Sequence, residues 1–289
     1  MAIPMNTLCI QCLMNKHLET ARTLGDEKTV NAFSIALMDI IKECVETESS
    51  AVAGAKINHL YMQYFGLGQD RFIQEKADSN LFVKSRMSRI TSLVEQQSDP
   101  VFAALQFAIL GNYLDFSALK GQVSFEQLDS MLEDALKMEL DKKVYEQLCR
   151  DLTGGKKLLY ITDNAGEIGF DRILAQQLQK KYPQLHITFC VRGLPAHNDA
   201  TREDAAFMEL EFDVVDTGND IGGAVIHMLS EPSKKALEEA DVIIAKGMGN
   251  TETMYGCGYN VYYAFLVKCA RFREVFQKPQ MTPMLLHEH

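Results

Sequence analysis

Hydrophobic positions in the first half of the chain recur at three- and four-residue spacing, whereas in the second half they gather into short runs separated by amphipathic stretches. Over positions 30–44, Phe33, Leu37, Ile40, Ile41 and Cys44 fall on one helical face. Positions 101–110 are apolar almost throughout, which predicts a helix buried on most sides. Ser124 reads as the N-cap of another helix, with Gln127 as its capping-box partner. No useful strand-like alternation interrupts residues 1–152, so this half is expected to be a helical domain.

Beyond Gly154-Gly155 the pattern changes. The runs LLYIT (158–162), HITFCV (186–191), DVVD (213–216) and DVIIA (241–245) predict strands, and positions 261–267 and 284–286 predict two more. Helical stretches at 168–182, 199–210 and 233–240 lie between them. Strands alternating with helices make residues 153–289 an α/β domain. The expected core is a doubly wound, mostly parallel sheet with helices on both faces. Ligands of such sheets gather at the carboxyl ends of the strands, which directs attention to the loops that follow them.

Composition narrows the function classes. A net charge of −10 and a pI near 5.2 argue against nucleic-acid partners, because a phosphate backbone demands a basic surface. No apolar run reaches the roughly 18 residues that a membrane span needs, and the start MAIPMNTLCIQC lacks the layout of a signal peptide. Seven cysteines, an odd number scattered along the chain, point to a reducing cytoplasm rather than a disulfide framework.

Three loops carry chemistry. Asp163-Asn164-Ala165-Gly166-Glu167 follows LLYIT and offers adjacent hard oxygen ligands that suit magnesium or manganese, with Gly166 turning the backbone into a helix. The competing reading makes Asp163 or Asn164 a helix cap. Arg192 to Asp199 follows HITFCV; Asp199 is a second oxygen ligand or again a cap, and Arg192 either meets a phosphate or forms an ion pair. Lys246-Gly247-Met248-Gly249-Asn250 follows DVIIA and places a cation and exposed backbone N–H groups where a phosphate could rest. Oxygen ligands and a lysine at equivalent strand ends are the means of neutralising a phosphoryl group in transfer.

The segments ITDNAGE, VRGLPAHNDAT and KGMGN, in this order and separation, resemble the signature blocks of the damage-control phosphatase family, also called domain of unknown function 89 or acidic-residue-methyltransferase-like. Gly111-Asn112-Tyr113-Leu114-Asp115 fits the same pattern, and Cys9-Ile10-Gln11-Cys12 resembles its archaeal and bacterial branch. The resemblance implies a metal-dependent phosphatase of small phosphorylated metabolites: sugar phosphates, nucleotides or cofactor fragments. It implies a divalent cation (magnesium, manganese, cobalt or nickel) on Asp163, Asn164 and Asp199. It also implies a phosphate gripped by Lys246 with Gly247, Asn250 and Arg192, and a pocket lined by Asn112 and Asp115. Thr251 stands where the family pattern has an aromatic residue.

The attack is expected either from a metal-held water or from Asp163 itself, with Glu167 supporting from behind. Two other readings compete. A methyltransferase binding S-adenosylmethionine would need an acidic ribose acceptor after the second strand, where Val191-Arg192 offers none. A non-catalytic metal or redox protein would use Cys9 and Cys12 as half a zinc site or a thiol couple, or the pair simply packs a helix.

Overall fold

The computed structural model describes residues 2–114, 130, 132 and 134–288. Asp115 and the helix expected at Ser124 lie outside the described residues. The first three helices each start on a side chain that accepts from backbone N–H groups their own helix cannot satisfy. Asn6 serves α1 (Thr7–Arg22), Asp26 serves α2 (Glu27–Cys44) and Ser49 serves α3 (Ser50–Phe65). Phe33, Leu37, Ile41 and Cys44 are buried as their spacing predicts, against Leu13 and Ala21 of α1 and Ala53, Ile57 and Tyr61 of α3. Burying each large apolar side chain contributes about 2 kcal/mol. Next come α4 (Ile73–Lys84), α5 (Met87–Glu95) and α6 (Pro100–Leu110). The nearly apolar α6 leaves Val101 and every residue from Ala103 to Leu110 buried, including Gln106, whose amide donates to the Leu136 and Met138 carbonyls. Helix α7 (Lys142–Gly154) precedes the sheet.

The sheet has six strands in the order β3-β2-β1-β4-β5-β6. They are β1 (Lys157–Ile161), β2 (His186–Val191), β3 (Asp213–Asp216), β4 (Val242–Lys246), β5 (Val261–Leu266) and β6 (Pro283–Glu288). Neighbours pair in parallel except β5 and β6. Connecting helices are α8 (Glu167–Lys181), α9 (Arg202–Phe207), α10 (Glu231–Glu239), α11 (Gly247–Met254) and α12 (Ala270–Phe276).

Side chains alternate across a strand, so each strand feeds two cores. Leu158, Tyr160, Phe189, Ile244 and Tyr262 join residues of α4–α8 on one face. Leu159, Ile161, Ile243, Tyr263 and Phe265 pack on the other face against Leu237 of α10, Met254 of α11 and Phe272 of α12. The expected boundary at residue 152 falls inside the first of these clusters, which contains both Leu152 and Leu158.

Strands β1 and β4 are neighbours, and their following helices leave to opposite faces. That divergence opens a crevice at their carboxyl ends. Two local expectations change here. The helix predicted over 199–210 begins only at Arg202, because Thr201 and Asp204 form the capping box. The Gly247-Met248-Gly249-Asn250 stretch is the first turn of α11 rather than a loop.

Candidate functional site

The chain leaves β1 at Thr162, whose N–H still bonds the Cys190 carbonyl at 3.0 Å. It then pairs briefly with the segment leading to α9. Ala165 N–H donates to the Asn198 carbonyl at 2.8 Å, and Ala200 N–H donates to the Asp163 carbonyl at 2.7 Å. This short antiparallel bridge sets Asn164 opposite Asp199. Two strand-end loops thus bring Asp163, Asn164 and Asp199 together.

None of the three occupies the N-cap position of the helix that follows it. The N-cap of α8 is Gly166, whose N–H donates to Asn80 Oδ1 at 2.7 Å, and the cap of α9 is Thr201. Gly166 holds φ +75°, and a Cβ there would sit 2.8 Å from the Ser79 carbonyl oxygen, so the turn requires glycine. Gly247 holds φ +79°, and its Cβ would fall 2.1 Å from Asp163 Oδ2. Close approach of the α11 backbone to that carboxylate therefore demands glycine as well.

A buried polar layer fixes these groups from behind. Asp163 Oδ2 accepts from Asn112 Nδ2 at 2.6 Å and Asn164 Nδ2 at 2.8 Å. The same two amides donate to Glu167 Oε2 at 3.2 and 2.8 Å. With its nitrogen held inward, the Asn164 amide turns its oxygen the other way. Lys246 Nζ reaches Glu167 at 2.6 Å, Asp171 at 2.8 Å and the Ala108 carbonyl at 2.8 Å. Tyr160 OH donates to Asp171 Oδ1 at 2.7 Å. On the other side, Arg192 Nε bonds Asp199 Oδ2 at 2.6 Å, and its Nη2 donates to Asn250 Oδ1 at 3.0 Å. Asn250 in turn donates to the Thr162 and Lys246 carbonyls.

Electrostatics follow from burial. Desolvation pushes the Asp171 carboxyl up, to about 6, against the opposing pull of Lys246. Desolvation would push the Lys246 amine down, but Asp171 and Glu167 outweigh it and hold the amine charged.

Asp163, Asn164 and Asp199 line a cavity of about 490 Å³ between α1, α3 and the strand ends. Its other walls carry Lys16, Lys268 and Arg271 as cations, and Glu252, whose carboxyl burial raises to about 7 against the lowering pull of Ser50. Cys9, Cys12 and Cys269 line it too. Burial raises the Cys9 thiol, and raises that of Cys269 to about 11, which keeps both protonated. All seven cysteines are free thiols. Among the described residues, no three His, Cys, Asp or Glu side chains converge to hold a metal, so Cys9 and Cys12 have no zinc set around them.

Several residues read from the sequence lie elsewhere than expected. Lys246 is wholly buried, and its three N–H bonds go to protein acceptors, which takes it out of reach of a phosphate in the cavity. Arg192, Asn250 and Asn112 are likewise buried behind the wall, where they hold Asp199, the strand ends and Asp163. Glu167 links the Lys246 and Asn164 halves of the layer. Lys16, Lys268, Arg271 and Glu252 were missed. Lys268 follows β5 by two residues, so the strand-end rule that found Asp163 would have found it. Nothing local marks Lys16, whose place depends on how α1 packs.

The three oxygen-bearing side chains suit a divalent cation. They are hard donors, they share one cavity wall, and amide and guanidinium donors hold their inner atoms in place. Known proteins resemble this chain along most of its length. A family model for the damage-control phosphatase ARMT1-like domain matches residues 5–282. An uncharacterized protein of Methanocaldococcus jannaschii is 30% identical over 90% of this chain and 88% of its own length. A damage-control phosphatase of Archaeoglobus fulgidus is 28% identical over 86% of each chain. The crystal structure of a DUF89 family protein from Pyrococcus horikoshii superposes with a TM-score of 0.84 at 27% identity, covering 99% of both chains.

Proposed function

This chain belongs to the damage-control phosphatase ARMT1-like family, and on that premise we propose that it hydrolyses small phosphorylated metabolites with a divalent cation held by Asp163, Asn164 and Asp199. The observation that carries the reading is the bridge between the two strand-end loops. It gathers these oxygens on one cavity wall, while Gly166 and Thr201 take the N-cap positions of the following helices.

When bound, magnesium, manganese, cobalt or nickel would neutralise phosphoryl charge and acidify a water. The chain's own residues do the rest. Asn112 and Arg192 fix the carboxylates of Asp163 and Asp199, so neither reorients as charge develops. Lys268 on the cavity wall, rather than Lys246, faces the phosphoryl group and balances its negative charge. Helix α1 covers the site and limits water around it. Seven free cysteines would suit a reducing cytoplasm.

The test is phosphate release from an aryl phosphate by EDTA-treated protein with each metal restored in turn. Activity should return with metal. Asp163→Asn and Asp199→Asn should each lower it by about 10²–10³-fold and weaken manganese binding measured by calorimetry. Metal-independent activity, or unaltered manganese affinity in both variants, would refute the reading.

A further inference from the structure

A second, smaller cleft of about 20 Å³ opens off the main cavity. Its walls include Lys16 and His17 of α1, Gly54 and Tyr61 of α3, Arg71 ahead of α4, and His197 from the loop that carries Asp199. Lys16, His17, Gly54 and His197 also line the main cavity, so the two spaces are continuous. A Cβ on Gly54 would lie 3.1 Å from His197 Nε2, so α3 and the Asp199 loop nearly touch at the junction.

The charge of this cleft is one-sided. None of its lining residues is acidic, on a chain whose net charge is −10. Arg71 lies with its guanidinium carbon 3.8 Å from the centre of the Tyr61 ring, which fixes its plane. Glu75 influences Arg71 without forming an ion pair, and Lys16 has no ion-pair partner among the described residues. His17 adds no compensating charge. Burial first, then Lys16, His197 and Arg71, push its pKa down to about 3, and its Nδ1 lies 3.1 Å from Tyr61 OH. Partly buried cations without counter-charge make a standing site for an anion. A space this small takes a water or the oxygens of a carboxylate or phosphate, and no ring.

We propose that this cleft is a second anion subsite, formed by Lys16 and Arg71, that binds a carboxylate or second phosphate on the same metabolite whose phosphoryl group sits at Asp163, Asn164 and Asp199. The inference rests on the phosphatase reading of the main cavity and names its substrate class: phosphorylated acids and bisphosphates over phosphates with uncharged tails. The scissile phosphoryl group stays at the oxygen ligands. The second anion sets which end of the molecule is presented to them.

The experiment compares kcat/KM for 6-phosphogluconate and glucose 6-phosphate, with p-nitrophenyl phosphate as a third substrate. Wild type, Lys16→Met, Arg71→Met and a control on the exposed face of α10, Lys235→Met, are measured with metal present. The wild type should favour 6-phosphogluconate by about tenfold, as one charge-assisted contact allows. The ratio should fall to near one in Lys16→Met and in Arg71→Met, chiefly through KM, and stay at the wild-type value in Lys235→Met. Added salt should erode it in the wild type. Lys16→Met separates charge from folding, because no hydrogen bond among the described residues uses its ammonium group. A wild-type ratio of one with active hydrolysis of p-nitrophenyl phosphate overturns the subsite and spares the phosphatase reading. An equal loss on both sugar substrates in the variants also overturns the subsite, by assigning these residues a structural role. No hydrolysis of any of the three substrates overturns both.

Discussion

Lys246 and Lys16 are the same residue type on opposite sides of one cavity wall, and their surroundings assign them different tasks. Beneath the wall, Lys246 is fully buried between Glu167, Asp171 and the Ala108 carbonyl. An ammonium group has three N–H bonds, and all three are committed there. In that layer a charge acts only through the groups it holds, along the line from Lys246 to Glu167, to the two asparagines and to Asp163. On the cavity side, Lys16 is half-buried, meets no acidic partner among the described residues, and lines both the cavity and its side cleft. Saturation by protein acceptors marks a positioning group, and partial burial without a counter-charge marks a contact for ligand.

The comparison is most directly broken by removing each lysine in turn. Lys246→Met strands Glu167 and Asp171 as a buried like-charge pair, and should cost about 3–5 kcal/mol in urea unfolding. It should also weaken manganese binding by about 10–100-fold, because Glu167 no longer orients Asn112 and Asn164. A stable variant with wild-type metal affinity would mean that the layer does not position the site.

Glu252 tests a carboxylate that belongs to both regions, since it lines the cavity yet is buried and accepts from Ser50 Oγ at 2.6 Å. Its pKa is raised to about 7 in the folded chain, so the folded state binds the proton more tightly than the unfolded one. Stability from this group is therefore fully present below the unfolded carboxyl pKa of about 4.5 and lost as pH rises through about 7, by about 3 kcal/mol in all. Glu252→Gln should flatten the decline in unfolding free energy between pH 5 and pH 8. An unchanged slope would show that Glu252 ionises normally. The smallest effect is expected of Lys16→Met on folding: a change within about 0.5 kcal/mol, as for substitutions away from packed or paired groups. A larger loss would place Lys16 with Lys246.

Much of this was legible without coordinates. Short apolar runs found the strands, because a parallel strand is buried on both faces and reads as continuous hydrophobicity. Three-and-four spacing found Phe33, Leu37 and Ile41 for the same reason of burial. The rule that ligands lie at strand ends selected Asp163, Asn164 and Asp199, since it follows from the topology and needs no coordinates. Whether those side chains were caps or ligands was undecided in the sequence, because Asp and Asn suit both tasks equally. Gly166 and Thr201 take the cap positions of the following helices and leave those side chains to the cavity wall, which depends on where each helix begins relative to the bridge. The direction of Lys246 was hidden as well. A lysine side chain at a strand end is long enough to point into a crevice or beneath it, and only the packing of α6 and α8 under the sheet supplied the three acceptors that drew it down. Lys16 and Arg71 lie far apart along the chain, and only the packing of α1 and α3 over the strand ends joins them at one cleft. Local order came from patterns within a few residues, while the direction and pairing of charges came from contacts between residues that the sequence keeps far apart.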